Sequence, residues 1–280
     1  ELLLAFDLKD DAYFQSNFNF LLNRLPYRVA EACYLASQFW GSYEAVIPHL
    51  TPSNHGIYLD QLMRLKKVDA AITLFNQMEK QENTIPDQLR FCQFLMANKR
   101  LSQAKEVWAD ATDNPIPMAQ NGSFEQEPLN QAFGWRFRRN NDTRVRRTSE
   151  TAFDGVKSLQ VHFKGTSNVK FQHVSQIVPI HPGSFYRLRF AQKSRNITTD
   201  QGVFVKVLGY RCKGLYAASS PLVGTTRWAE EEIPFEAPTD CEAVTIRVRR
   251  KESLMFDNKI SGDYWLDAVV LRGGEGEIAR

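Results

Sequence analysis

The spacing of hydrophobic residues changes near residue 118 of this 280-residue chain. Before that point apolar residues recur every three or four positions, which is the period of amphipathic helices. After it, apolar and polar residues alternate one by one, which is the period of strands with one buried face. We therefore predict a multidomain α + β protein, with a helical-repeat domain at 1–114, a linker at 115–120, an antiparallel β-sandwich at 121–273 and a tail at 274–280.

The first segment contains five predicted helices. They are Tyr27–Trp40, His55–Lys66, Val68–Lys80, Pro86–Asn98 and Leu101–Asp113. Proline suits the first turn of a helix because its missing N–H group would be unpaired there. Pro115 and Pro117 cannot continue a helix, so we expect the helical domain to stop just before them.

Part of the helical segment repeats itself. Lys67–Ala71 aligns with Arg100–Ala104 at an offset of 33 residues, and Phe75 then aligns with Trp108. Such a period is typical of helix–turn–helix units stacked into a solenoid. The pattern resembles tetratricopeptide repeats over roughly 55–113, although the usual Trp-x-x-Leu-Gly-x-x-Tyr opening is absent. The resemblance implies a surface that docks a protein partner. The residues that support it are Leu62, Leu65, Ala71, Phe75, Phe94, Leu95, Ala104 and Trp108.

The second segment contains short alternating runs separated by turn-forming residues. The clearest runs are Ser158–Phe163, Phe185–Phe190, Gly202–Leu208 and Ala243–Arg249. Turn-forming residues border these runs, and the combination predicts an antiparallel sandwich. They are Asp154-Gly155, His181-Pro182-Gly183, Gly224-Thr225 and Pro238-Thr239-Asp240. Alternation should bury residues such as Leu188, Val205 and Ile246, and should leave their neighbours on the outer faces.

The order of motifs in this segment resembles jelly-roll carbohydrate-binding modules of families 4 and 22, which are related to galactose-binding-like domains. The resemblance covers about 119–272. It rests on Asn121–Glu125, Gly134–Trp135, Asp154–Leu159, Gln176–Leu188, Trp228, Phe235–Pro238 and Tyr264–Asp267.

The same resemblance implies a structural Ca²⁺, held by Glu125, Asp267 and the backbone carbonyl of Lys157. Ala268 stands where many relatives have a second Asp. The alternative is that Glu125 and Asp267 only make hydrogen bonds at strand ends.

A basic outer face is the candidate ligand site. If the strands concerned lie in one sheet, they bring cations and aromatic rings together, and arginine binds carboxylates in a bidentate geometry. Such a face would suit an acidic polysaccharide; the alternative is a solvated face with cross-strand Arg–Glu pairs. The candidate carbohydrate-binding residues are Arg187, Arg189, Lys206, Tyr210, Arg247, Arg249 and Trp135.

Charge is divided unevenly between the two segments. Residues 1–118 have a net charge of −3, and residues 119–280 have a net charge of +6. The basic segment favours an anionic partner, although the charge could equally serve solubility. Six arginines lie in Trp135–Arg147, but the chain lacks a nucleic-acid-binding motif, so nucleic acid is disfavoured. No run of ~18 apolar residues is present that could cross a membrane.

Cysteines and catalytic motifs add two expectations. Cys212 and Cys241 could pair in an oxidising compartment, and none of the four cysteines forms a CxxC motif. No nucleophile, phosphate-loop or metal-ligand spacing appears, so we predict that the protein is not an enzyme. The chain begins at Glu1, and we expect it to be part of a longer protein whose signal or anchor lies elsewhere.

Three functional hypotheses follow. The first is a periplasmic or extracellular protein of the bacterial envelope, whose sandwich binds polysaccharide and whose repeats dock a protein during exopolysaccharide assembly or export. The second is a protein–protein interaction scaffold whose jelly roll does not bind sugar. The third is the accessory region of a larger carbohydrate-active enzyme. The first rests on the pairing of domains and not on a site.

Overall fold

The computed structural model describes residues 1–78, 84–112 and 119–274. The chain forms two compact units, Glu1–Arg100 and Leu101–Arg280. The predicted features that extend outside the described residues are the ends of the helices at Val68–Lys80 and Leu101–Asp113, the end of the helical domain before Pro115, most of the linker at 115–120, and the tail at 274–280. In the described part of the chain, no helix is long and apolar enough to cross a membrane.

Seven α-helices are present in the described residues. All five predicted helices are confirmed, and two further helices precede them at the N-terminus. The helices are α1 Leu2–Leu8, α2 Asp11–Arg24, α3 Val29–Phe39, α4 His55–Arg64, α5 Val68–Gln77, α6 Ile85–Ala97 and α7 Leu101–Thr112.

The turns after α4 and α6 have the same geometry. Lys66 and Lys99 both adopt the left-handed conformation, with φ of 56° and 65°. The next residue in each turn donates its N–H back five positions: Lys67 to the Leu62 carbonyl and Arg100 to the Leu95 carbonyl, each at 2.9 Å. This bond satisfies a carbonyl at the helix end. The two turns are 33 residues apart, as the sequence repeat predicts; stacking of such units into a solenoid stays a prediction.

Two five-stranded antiparallel sheets form a β-sandwich. Sheet A has the strand order β1-β4-β9-β6-β7, and sheet B has the order β2-β3-β10-β5-β8. The strands are β1 Arg136–Phe137, β2 Thr143–Thr148, β3 Ser158–Lys164, β4 Phe171–Pro179, β5 Phe185–Ile197, β6 Val203–Gly209, β7 Tyr216–Ala218, β8 Gly224–Glu236, β9 Ala243–Arg250 and β10 Ser261–Gly274.

The core of the sandwich lies between the two sheets. Every second residue of the central strands points into it, and Leu188, Val205 and Ile246 are fully buried there, as predicted. Because alternation has a period of two, the residues between them face outward and form the two outer faces of the sandwich. The side chains on these two outer faces are therefore the ones that a ligand of the sandwich could contact.

A disulfide joins Cys212 to Cys241, with the two Cα atoms 5.2 Å apart. It connects the loop after β6 to the loop before β9. Gly209 lies against this bridge: a Cβ atom at Gly209 would be 2.3 Å from the Cys212 sulfur, so glycine is needed for the close approach. The other two cysteines, Cys33 and Cys92, are buried thiols outside this bridge.

Candidate functional site

The predicted basic face is divided between the two sheets. Arg187 and Arg189 lie on β5, which belongs to sheet B between β10 and β8. The strands β6 and β9, which supply the other predicted cations, belong to sheet A. The premise that these strands share a sheet is therefore wrong, and the seven candidate residues do not form one surface.

The two arginines on β5 are engaged in a cross-strand ion pair. The Arg187 Nη1 and Arg189 Nε atoms donate to the two carboxylate oxygens of Glu232 on β8, at 2.8 and 2.5 Å. These bonds, that of Arg189 first, hold the pKa of the Glu232 carboxyl below its usual value. This is the solvated Arg–Glu arrangement that was the alternative to a ligand site. Arg187 and Arg189 are thus not free to bind a ligand in this structure.

Trp135 is part of the core and not a sugar-stacking surface. Only 1% of its surface is exposed. Its ring lies 5.1 Å from that of Phe124, centroid to centroid, within the hydrophobic core between the sheets. A ligand cannot stack on a ring that is enclosed by protein, so the candidate role of Trp135 is wrong.

Sheet A brings the remaining cations together on its outer face. In the strand register, Arg247 on β9 lies directly opposite Lys206 on β6 and Ser175 on β4. Arg249 follows two positions along β9, opposite Phe204. Directly opposed residues on one sheet face have Cβ atoms about 4.5–5.5 Å apart. We call Lys206, Arg247 and Arg249 the basic face.

These cations lack anionic partners. None of the three forms an ion pair with any residue that the structure describes. The Arg249 Nη1 atom donates to the Gln172 side-chain oxygen at 3.2 Å, but the Nε atoms of Arg247 and Arg249 are buried without a hydrogen-bond partner. Like charges directly opposite each other destabilise a sheet. The positive charge of the basic face is therefore not compensated by any anionic side chain that the structure describes.

Burial makes the uncompensated charge of the basic face less favourable, as the pKa values of its cations show. Desolvation lowers the pKa of Lys206, and the positive charges of Arg249, Arg247 and Lys251 lower it further. Desolvation also lowers the pKa of Arg247, with smaller contributions from Arg249 and Arg138. A lowered pKa means that the fold disfavours the charged form, and a bound anion would reverse this. Groups perturbed by both burial and neighbouring charge concentrate at functional sites.

Aromatic rings border the basic face. The Lys206 ammonium group lies 4.0 Å from the ring centroid of Tyr216 on β7, and this ring is 60% exposed. Tyr210 follows β6 with the same alternation as Lys206 and is half-buried, beneath the guanidinium of Arg211 at 5.3 Å. The face thus combines cations with at least one accessible ring. Tyr216 was not predicted, because three residues of strand are too few to show alternation.

The predicted calcium ligands form a hydrogen-bonded strap. The Glu125 Oε1 atom accepts the N–H groups of Val156 and Lys157, both at 2.8 Å. The buried Asp267 carboxylate accepts the N–H groups of Phe153 at 2.7 Å and Asp154 at 3.1 Å. Burial raises the pKa of Asp267 despite these bonds.

These contacts occupy one oxygen of Glu125, and with the N–H of Ala268 they occupy both oxygens of Asp267. The described residues include no cluster of three or more His, Cys, Asp or Glu side chains that could hold a metal. The calcium site, which also includes the Lys157 carbonyl, stays a prediction.

Glu125 should stabilise the sandwich, and the size of its contribution can be measured. We expect Glu125→Ala to lower the free energy of unfolding by about 1–3 kcal/mol, because two N–H groups lose their acceptor. Thermal unfolding of the full chain in EDTA would measure this effect without an ion. The predicted calcium requires, in addition, a rise in Tm for the parent in CaCl₂ that Glu125→Ala abolishes. Unchanged stability of the variant in EDTA would contradict the strap.

Comparisons with known proteins give similarity to carbohydrate-binding modules. No family model matches the chain, and no curated protein matches it. Among solved structures, the first xylan-binding family 22 module of Xyn10C from Paenibacillus barcinonensis is 15% identical and has a TM-score of 0.39. The match covers 55% of this chain and 93% of that one.

Two further solved structures are similar to the same extent. A family 4 carbohydrate-binding module is 16% identical with a TM-score of 0.41, covering 56% of this chain and 99% of that one. A family 22 xylan-binding domain is 16% identical with a TM-score of 0.38, covering 59% of this chain and 100% of that one. The two antiparallel sheets identify the β-sandwich independently of these similarities.

Proposed function

We propose that the β-sandwich binds an acidic polysaccharide on the outer face of sheet A. The observation that supports this most directly is the basic face, where Lys206, Arg247 and Arg249 lie together without an anionic partner in the described chain. A carboxylate or sulfate group would accept hydrogen bonds from the guanidinium groups and offset the repulsion between the opposed cations. Charge-assisted hydrogen bonds of this kind are about twice as strong as neutral ones.

The exposed ring of Tyr216 suits the sugar part of such a ligand. A pyranose has a flat apolar side that can cover the ring while its charged substituent reaches Lys206, 4.0 Å from the same ring. The combination distinguishes a glycan from a simple anion, which needs no aromatic surface. Tyr210 extends the same side of sheet A beyond β6, so a polymer has room to make repeated contacts.

The disulfide supports an extracellular or periplasmic location. Disulfides persist in oxidising compartments and are rare in the cytosol. The Cys212–Cys241 bridge lies next to the close approach at Gly209, where the backbone has no room for a Cβ atom. Protein docking by the helical unit, a role in exopolysaccharide assembly or export, and the absence of catalysis remain predictions from the sequence.

Loss of one guanidinium should weaken polysaccharide binding. We expect Arg247→Gln and Arg249→Gln each to reduce affinity for an acidic polysaccharide about 10- to 100-fold, because each removes charge-assisted hydrogen bonds. Affinity electrophoresis of the full chain in gels containing polygalacturonate, alginate or a sulfated glycan would measure this. Binding should also weaken as NaCl is raised, since salt screens the attraction.

The matched control is the other arginine pair of the sandwich. Arg187→Gln with Arg189→Gln removes two cations from sheet B, where both are paired with Glu232, and it should leave polysaccharide binding unchanged. If Arg187→Gln with Arg189→Gln reduced the affinity as much as Arg247→Gln with Arg249→Gln, net charge and not the basic face would decide polysaccharide binding. Retention of neutral polysaccharides alone, sensitive to Tyr216→Ala, would overturn the acidic part of the proposal.

A further inference from the structure

A second basic cluster surrounds a cavity at the corner between β1 and β2. The cavity has a volume of about 330 Å³ and is lined by the connection between these strands together with Lys164 at the end of β3. Its cations are Arg138, Arg139, Arg144 and Lys164. Because β1 belongs to sheet A and β2 to sheet B, the cavity lies at the edge of the sandwich and not on the outer face of sheet A.

The charges that line the cavity are of one sign. The three arginines form no ion pair with any residue in 1–78, 84–112 or 119–274. Lys164 is positioned by a hydrogen bond from its Nζ atom to the Asn141 carbonyl, at 2.5 Å.

The carboxylate in the same connection is otherwise engaged. Asp142 is not one of the lining residues, and its Oδ1 atom accepts from the Thr166 hydroxyl at 3.2 Å. Its backbone carbonyl accepts the N–H of Lys164, which fixes the connection against β3. The cavity therefore presents four cations whose charge is not neutralised within it.

Thr143 provides an independent sign of an absent ligand. It lines the same cavity, is only 6% exposed, and its hydroxyl oxygen is buried without a hydrogen-bond partner. Buried polar groups are almost always paired, because an unpaired group loses its hydrogen bonds to water without compensation. The backbone of Thr143 is held in β2 opposite Phe163, which fixes the side of the sheet to which its side chain points.

We infer that this cavity binds an oxyanion group: a sulfate, phosphate or carboxylate. Guanidinium groups match the paired oxygens of such groups, and the Lys164 ammonium adds a point charge whose position is fixed by Asn141. Phe137 and Val145 line the cavity beside the charges. The cavity is lined by none of the three residues of the basic face, although Arg138 is close enough to lower the pKa of Arg247. The anion can be free in solution or a substituent of a larger glycan.

The test uses inorganic sulfate and phosphate on the full chain. Chemical shifts of the arginine Nε–Hε groups are followed during titration with Na₂SO₄ or sodium phosphate, with NaCl holding ionic strength constant. We expect saturable shifts, and about tenfold weaker binding in Arg138→Gln with Arg144→Gln. Thr143→Val keeps the shape of the side chain and should weaken binding about threefold or more while leaving Tm unchanged or raised.

Two controls separate this site from the basic face and from general charge. Arg187→Gln should leave sulfate binding unchanged, and Lys206→Gln should leave the sulfate-dependent shift of the Arg144 Nε–Hε group unchanged. Arg144→Lys keeps the charge but removes the fork of donors, so binding weaker than in the parent would show that guanidinium geometry matters. A sulfated glycan that competes with inorganic sulfate would identify the substituent of a polymer as the source, and the absence of competition would favour a free anion.

Two outcomes would overturn the inference: shifts of the Arg138 and Arg144 Nε–Hε groups that are linear up to high concentration and are reproduced by chloride, or saturable shifts that are confined to the Nε–Hε groups of Arg247 and Arg249. If polysaccharide binding fails while sulfate still binds at Arg144, only the proposed function of the basic face is wrong. If polysaccharide binds and sulfate does not, only the oxyanion site is wrong.

Discussion

Replacing Arg250 with methionine should lower the free energy of unfolding of the β-sandwich by about 3–4 kcal/mol. Arg250 is the last residue of β9, and its side chain is fully buried, which is rare for arginine. Burial lowers its pKa below the usual value. Such a charge is tolerated in a protein interior only when its donors are satisfied by hydrogen bonds.

The Arg250 guanidinium is satisfied by five acceptors from three connections. Its five donors match these acceptors in number. They reach the connections β3–β4, β5–β6 and β9–β10, so one side chain holds together one end of the sandwich. The acceptors are the carbonyls of Val169, Gln201 and Asn258, the Asn168 side-chain oxygen and the Thr199 hydroxyl, at 2.7–3.3 Å.

Methionine would fill most of the volume but leave these acceptors without donors. Urea unfolding of the full chain, followed by hydrogen exchange of peptides from β9, would report the sandwich separately from the helical unit. Arg250→Lys should also lower the free energy of unfolding, but by less than Arg250→Met. An ammonium group has only three donors and lacks the planar fork of a guanidinium group.

Arg249 is the matched control because it is adjacent and faces the opposite side of the sheet. Arg249→Met should change stability by about 0.5 kcal/mol or less, as expected for substitutions away from buried networks, while it weakens polysaccharide binding. The expected pattern is therefore a loss of stability at 250 and a loss of binding at 249. Equal stability changes at both positions would show that the hydrogen bonds of Arg250 do not support the fold.

The alternation of apolar and polar residues was enough to predict which residues form the core of the sandwich. It was not enough to predict which outward-facing residues share a surface. Leu188 and Val205 were placed correctly, because a strand with one buried face shows its period within six residues. Whether Arg187 and Lys206 share a surface depends on strand order, which is set by pairings between residues far apart in sequence. Here β5 pairs with β10 and β8, whereas β6 pairs with β9 and β7. No local pattern contains that information.

The sequence did not indicate that Arg250 and Trp135 are both buried. Arg250 ends an alternating strand as one more charged residue, and the partners that make it a buried anchor come from three distant loops. Trp135 lies in a dense arginine segment, which favoured a surface role, yet it packs on Phe124 in the core. Residue type indicates which interactions a side chain can make, but its burial decides whether it makes them with a ligand or within the protein. The divided face and the strap at Glu125 could be assigned only once the fold was known.

Reducing the Cys212–Cys241 disulfide should lower the free energy of unfolding by about 3–4 kcal/mol. The bridge closes a loop with a sequence separation of 29 residues. In the chain-entropy model, cross-linking a loop of this length restricts the unfolded chain by about that amount at 25 °C. For a domain of this size the change corresponds to a fall in Tm of about 7–14 °C. Thermal unfolding of the full chain with and without dithiothreitol would measure it.

The control is a chain in which the bridge cannot form. Cys212→Ala with Cys241→Ala should match the reduced parent in stability and should not respond to dithiothreitol. The two remaining thiols must be counted in denaturant, because burial raises the pKa of Cys33 to about 12 and keeps that thiol unreactive in the folded chain. Two thiols should titrate in the unreduced, denatured parent and four after reduction. Four thiols before reduction would contradict the bridge and remove the structural argument for an oxidising compartment.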